Sequence, residues 1–205
     1  MADFPLTYTN VAGASVTIQP SSVQVELISR TVRTTSLSGR QQVRSFGTSY
    51  YTVAVSFPPL IEEDFEQIKA KLTSLRGGIG TFTLATKPFT NKRVSSRTDA
   101  NEGIGSSSTA IGATSITTSN SNEFKPGEYF KFSGPSGHTK VYQVITCSGT
   151  TLTFEPFLQA VVTNSHHIDS GSAMEMTCRL ADDNVSYSQG ADGLTRISFK
   201  AIEAI

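Results

Sequence analysis

The chain has 205 residues, 37% of them hydrophobic and 17% charged, and its 17 Lys+Arg balance its 17 Asp+Glu to a formal net charge of zero. That is enough apolar material to exclude wholesale disorder, and the length suits a host domain carrying a modest insert. A balanced charge without a clear Lys/Arg stripe argues against a general phosphate-binding surface, so Arg30, Arg33, Arg40 and Arg44 read as ordinary solvent-facing or interface charges.

Residues 1–20 are turn-rich, without a clear period, and read as an arm or a leading edge strand. No charged-then-apolar leader follows Met1, and no apolar run approaches ~18 residues, so the expectation is a protein made without secretion or membrane insertion. Val23, Val25 and Leu27 alternate with polar residues as in a half-buried strand, and Leu37-Ser-Gly-Arg is a turn signal. The clearest strand follows, with Tyr51, Val53, Val55 and Phe57 on one face, until Pro58-Pro59 removes the backbone donors a ladder needs.

Residues 60–75 carry the helix signal. Phe65, Ile68, Leu72 and Leu75 recur at spacings of three, four and three. Glu62, Glu63 and Asp64 complement the positive end of the helix dipole, and Gly77-Gly78 supplies a left-handed stop. Phe82 and Leu84 resume strand alternation. Residues 91–109 are rich in Ser, Thr, Arg and Gly and read as a long exposed loop.

Beyond it come short strands separated by turns: a weak one around Ile111, Ala113 and Ile116, then 129–132, 140–147 and 151–154. Turn signals every 8–12 residues predict a small barrel of the oligonucleotide/oligosaccharide-binding (OB) type. Two further strand patterns, 174–180 and 194–202, close the chain and need the first third as their partner. The fold expected is therefore mainly β with a minor α component. A discontinuous host domain of barrel or sandwich type (1–88 and 173–205), with one helix, carries an inserted OB-like barrel (89–172).

No catalytic constellation emerges. His166 and His167 are adjacent, so on a strand they point to opposite faces and do not share an ion. Gly134-Pro-Ser-Gly-His138 lacks the second glycine of a nucleophile elbow, and its β-turn-β setting is wrong. Gly77-Gly-Ile-Gly80 follows a helix, where a phosphate loop must precede one. Asp182-Asp183-Asn184 lacks the glycine and distal glutamate of a calcium-binding hand. Cys147 and Cys178 have no metal-ligand spacing and read as buried free thiols. The expectation is a non-enzyme without metal or cofactor. The interface candidates are Tyr50, Arg30, Arg33 and Arg44, since tyrosine and arginine are enriched at subunit contacts. Tyr129 and Tyr142 are weaker candidates for stacking on a glycan.

Several fragments in this order carry a resemblance: Tyr51-Thr-Val-Ala-Val-Ser-Phe-Pro-Pro running into the helix and its Gly77-Gly78 stop, Thr81-Phe-Thr-Leu, Lys125-Pro-Gly-Glu-Tyr-Phe-Lys-Phe, Lys140-Val-Tyr-Gln-Val, Thr151-Leu-Thr-Phe-Glu-Pro-Phe-Leu and Thr195-Arg-Ile-Ser-Phe-Lys-Ala. Over roughly residues 20–205 the chain resembles the distal tail proteins of long-tailed bacteriophages, in the compact form with an inserted barrel. The resemblance implies a structural virion protein, made in the bacterial cytoplasm, that assembles with itself into a hexameric ring at the tail tip or baseplate. Such a ring joins the tail tube protein to hub and fibre proteins and surrounds a channel through which DNA passes only transiently. A neutral chain suits such a channel, because a basic lining would retard passage. Two alternatives stand beside this reading: a carbohydrate-binding adhesion module on the insert, which the absence of tryptophan disfavours, and a tail-tube or tube-terminator subunit.

Overall fold

The computed structural model describes residues 3–91, 100, 102–121, 123–134 and 138–205, with side chains at all of these but 46–48. The chain opens with a hairpin, β1 (Leu6–Thr9) and β2 (Ser15–Ile18). A much longer hairpin follows, β3 (Ser22–Thr35) and β4 (Gln41–Ser56). Helix α1 (Glu62–Ser74) comes next, then β5 (Thr81–Leu84). Three short strands, β6 (Glu102–Gly103), β7 (Ser108–Thr109) and β8 (Ser115–Thr117), precede the longer β9 (Tyr129–Ser133), β10 (Val141–Ser148) and β11 (Thr151–Glu155). The chain then runs through β12 (Val162–Thr163), β13 (His167–Ser170), β14 (Met176–Leu180), β15 (Tyr187–Gln189) and β16 (Thr195–Glu203). The molecule is mainly β, built from several sheets and one α-helix among the described residues.

The first large sheet has the order β3-β4-β16-β14-β5, with β15 added alongside β16. Strands from the two ends of the chain thus lie side by side. Phe199 pairs with Val55 and Ala201 with Val53, while Cys178 lies between Phe82 on β5 and Glu203 on β16. The period-two pattern of β16 places Ile197, Phe199 and Ala201 in the core and Arg196, Ser198 and Lys200 in solvent.

Helix α1 buries Phe65, Ile68 and Leu72, as their spacing predicts, with three acids in its first turn. Its stop differs from expectation in one respect. Arg76 itself takes the left-handed conformation (φ 54°), and Gly77 (φ 68°) continues it. Gly80 is the glycine whose lack of a side chain matters most, since a Cβ there would lie 2.7 Å from the Leu75 carbonyl oxygen.

Of the two readings of the leading segment, arm or edge strand, residues 3–20 follow the second, with a β1–β2 hairpin and a bridge from Phe4 to Leu84. Phe4 is fully buried and touches Phe57, Phe82 and Phe199, with ring centroids 5.5–5.9 Å apart. Asp3 anchors it, accepting the Thr83 N–H (2.9 Å) and an ion pair from Lys71 (2.6 Å). Burial of one phenylalanine is worth about 1.5–3 kcal/mol, which a turn-rich leading segment can invest only by packing inward.

The second large sheet has the order β6-β13-β9-β10-β11-β8 and encloses an aromatic core of Phe124, Phe130, Phe132, Tyr142 and Phe154. Its ladder is not closed into a barrel. A single bridge, Ile104–Thr118, links its two end strands, flanked by Gly105 N–H to Thr117 O (2.8 Å) and Ser119 N–H to Gly103 O (3.0 Å). The segment expected to be a long exposed loop is in part structural. Residues 92–99 and 101 lie outside the described residues, but Glu102 and Ile104 are buried and β7 pairs with β12. Ile111, in contrast, is exposed, and Ile116 alone carries the burial of β8.

Candidate interaction surfaces

The β3–β4 hairpin outruns the sheet it belongs to. Strand β16 pairs with β4 only from Thr52 to Ser56, whereas β3 pairs with β4 out to Thr35–Gln41. From Ser29 onward the hairpin is a two-stranded ribbon projecting about 20 Å, at ~3.4 Å per residue. Every described residue from Ser29 to Ser45 is exposed. Pairing and alternation assign its faces. Ile28, Arg30, Val32, Arg44 and Tyr50 share one face, and Arg33 and Val43 share the other. Arg40 lies at the tip beside the fully exposed Leu37. The Arg30 guanidinium sits 5.9 Å above the half-buried Tyr50 ring, a cation–π contact.

All four predicted interface residues, Tyr50, Arg30, Arg33 and Arg44, therefore belong to this ribbon or its root. Residues 27–50 hold four arginines and no acidic residue, so the rest of the chain carries 13 Lys+Arg against 17 Asp+Glu. Composition alone conceals this stripe, because the compensating acids lie elsewhere.

The root of the ribbon is tied to the second sheet. Lys140, one residue before β10, and Glu203, the last residue of β16, form an ion pair with side chains 1% and 0% exposed. The Glu203 carboxylate also accepts the N–H groups of Val141 (2.6 Å) and Tyr51 (3.1 Å), and Lys140 Nζ donates to the Ser49 carbonyl (2.6 Å) and lies over the Tyr51 ring (5.6 Å). Burial holds the Lys140 ammonium below the ordinary lysine range, against the opposing pull of Glu203. Thr139 adds a hydroxyl donor to the Ala204 carbonyl (2.5 Å). The pair went unnoticed in the sequence, yet one signal was there. Glu203 continues the inward parity of Ile197, Phe199 and Ala201, and a carboxylate on a core position requires a partner.

Of the two glycan candidates, Tyr142 is closed to a sugar by burial. Tyr142 is fully buried, its ring 5.6 Å from both Phe130 and His138. Tyr129 is half-buried between Tyr51 (5.6 Å) and Phe89 (5.1 Å), where the two cores meet. The Tyr142 hydroxyl accepts the Gln159 N–H (3.1 Å) and shares a 3.0 Å hydrogen bond with His138 Nε2. Burial, followed by the charges of His166 and Lys140, lowers the His138 imidazole to about 4.

The remaining motifs lie where structural roles suffice. His166 Nδ1 accepts the Thr163 N–H (3.0 Å), while His167 belongs to β13. Asp183 lies on an exposed loop and caps the Gly78 N–H (3.1 Å). Cys178 is buried, but Cys147 is only half-buried, contrary to expectation: it pairs with the buried Leu152 and packs against the rim of the second core near the end of β10. The turn at 134–138 falls partly outside the described residues. Among the described residues no group of three His, Cys, Asp or Glu side chains is placed to hold a metal, and no helix is long and apolar enough to cross a membrane. Neither a protein-family model nor a curated protein matches this chain.

Proposed function

We propose that this protein is a structural subunit that assembles with itself into a closed ring, in the manner of a phage distal tail protein at a tail tip or baseplate. The observation that carries the reading is the first sheet. Where it lies within the sheet, from Ser22 to Ile28, edge strand β3 has no strand pairing its outer side among the described residues, and the sheet face bearing Gln24, Glu26, Thr52 and Lys200 is polar and uncovered. Long open edges invite pairing with another chain, and natural monomers usually blunt or cover them. A head-to-tail contact of this kind closes into a ring when the rotation permits.

In this reading the inserted sheet, with its own aromatic core, is an OB-like barrel held on the outside, and the buried Lys140–Glu203 pair fixes its pose. The neighbours are the tail tube protein on one side and hub and fibre proteins on the other, with no chemistry asked of the chain. Sedimentation velocity over a wide concentration range tests the assembly, a species of six chain masses being expected. A strictly monomeric chain at high concentration, absent also from purified virions, overturns it. Counting copies per particle separates one terminal ring from the many stacked rings of a tube subunit.

A further inference from the structure

We propose that the projecting β3–β4 ribbon is a contact for duplex nucleic acid, gripping its phosphate backbone through Arg30, Arg33, Arg40 and Arg44. The argument rests on geometry as well as on charge. A ribbon that docked flat on another protein would need its cations on one face only. Here they occupy both, with Arg30 and Arg44 on one face and Arg33 on the other, and Arg40 stands at the tip. A major groove presents phosphates on two walls, about 12 Å apart, and admits a two-stranded β-ribbon between them.

The composition fits this occupant. Between residues 27 and 50 the remaining polar side chains are Ser, Thr, Gln and Tyr, all able to hydrogen-bond phosphate or base edges, and no carboxylate opposes the field. Val32, Val43 and Leu37 are exposed, which suits contact with sugars and thymine methyl groups and is otherwise unfavourable for a solvated arm. Sequence composition disguised the site, because the compensating acids lie elsewhere on the chain. The inference stands independently of the ring. If the ring forms with its ribbons turned inward, every subunit presents one to the DNA in the channel, and passage is braked rather than frictionless.

Fluorescence anisotropy of a labelled mixed-sequence duplex of about 30 base pairs, titrated with the full chain, tests this. Four released counterions per ribbon give a log–log salt slope of about −3.6 or steeper, so affinity falls about 150-fold between 50 and 200 mM NaCl. The combined R30Q, R33Q, R40Q and R44Q variant is expected to lose that slope and at least 100-fold in affinity at 50 mM, and each single variant to reduce the slope by about one. These side chains are exposed, so the variant's thermal midpoint should stay unchanged, and circular dichroism checks that. Absence of binding by the unaltered chain, binding unchanged in the fourfold variant, or stronger binding to polyglutamate than to the duplex each overturns the proposal. Sedimentation of the same samples keeps the two readings apart. A ring that ignores DNA defeats this inference alone, and a monomer that binds DNA defeats only the ring.

Discussion

Removing the two partners of the Lys140–Glu203 pair one at a time should give unequal losses, and the structure says which is larger. In Lys140→Met the Glu203 carboxylate loses its counter-charge but keeps the Val141 and Tyr51 N–H donors, so the loss falls near the lower end of the ~3–5 kcal/mol expected for breaking a buried pair. In Glu203→Leu the Lys140 ammonium keeps the Ser49 carbonyl and the Tyr51 ring but has no counter-charge, and two backbone N–H groups lose their acceptor, each worth about 1–3 kcal/mol. That variant should fall at or above the upper end of the range. The double variant removes both charges and should cost less than the two single losses added together, by roughly 2 kcal/mol or more. Urea unfolding followed by near-ultraviolet circular dichroism measures all four chains, and a loss of 3 kcal/mol corresponds to about 6–12 °C in a chain of this size. Equal losses below about 1 kcal/mol in the single variants, or strict additivity in the double, would refute the idea that this pair holds the two sheets together.

Three further expectations follow from the same structure. Phe4→Ala should destabilise by about 3–5 kcal/mol in the same urea assay, because the ring is fully enclosed by Phe57, Phe82 and Phe199, whereas a loose leading arm would show almost no change. His138 is held neutral by burial, its value depressed from 6.5 to about 4, so the unfolded chain binds the extra proton first. The stability it confers is complete above pH 6.5 and is lost as pH falls toward and through about 4, and His138→Gln should flatten that part of the pH profile of the urea midpoint. Native thiol titration should find Cys147 alone reactive, since Cys178 is buried and its thiol is pushed far up by desolvation; equal reactivity of both would contradict the placement of β14.

Much of the architecture could be read from local pattern. The α1 stripe of Phe65, Ile68 and Leu72, the inward alternation of Ile197, Phe199 and Ala201, and the turns around 37–40, 125–128 and 148–150 all lie within a few residues of where periodicity and turn chemistry put them. What local pattern missed depends on partners far away in the chain. Phe4 fell in a segment read as an arm or a leading edge strand, with no core role assigned, because a single aromatic residue has no period, and its three ring neighbours come from positions 57, 82 and 199. Residues 102–109 looked like exposed loop because their two-residue strands are stabilised by pairing with β12 and β13 and by little of their own.

Sequence by itself determined the β-rich class, the helix and the pairing of the two chain ends, because those follow from side-chain periodicity and from strands that lack local partners. Tertiary structure alone decided that four scattered arginines occupy both faces of one projecting ribbon, that Tyr142 is locked in a core, and that Lys140 meets Glu203. Strand register, which fixes the face and neighbours of each side chain, is set by long-range pairing and burial, and no count of residues contains it.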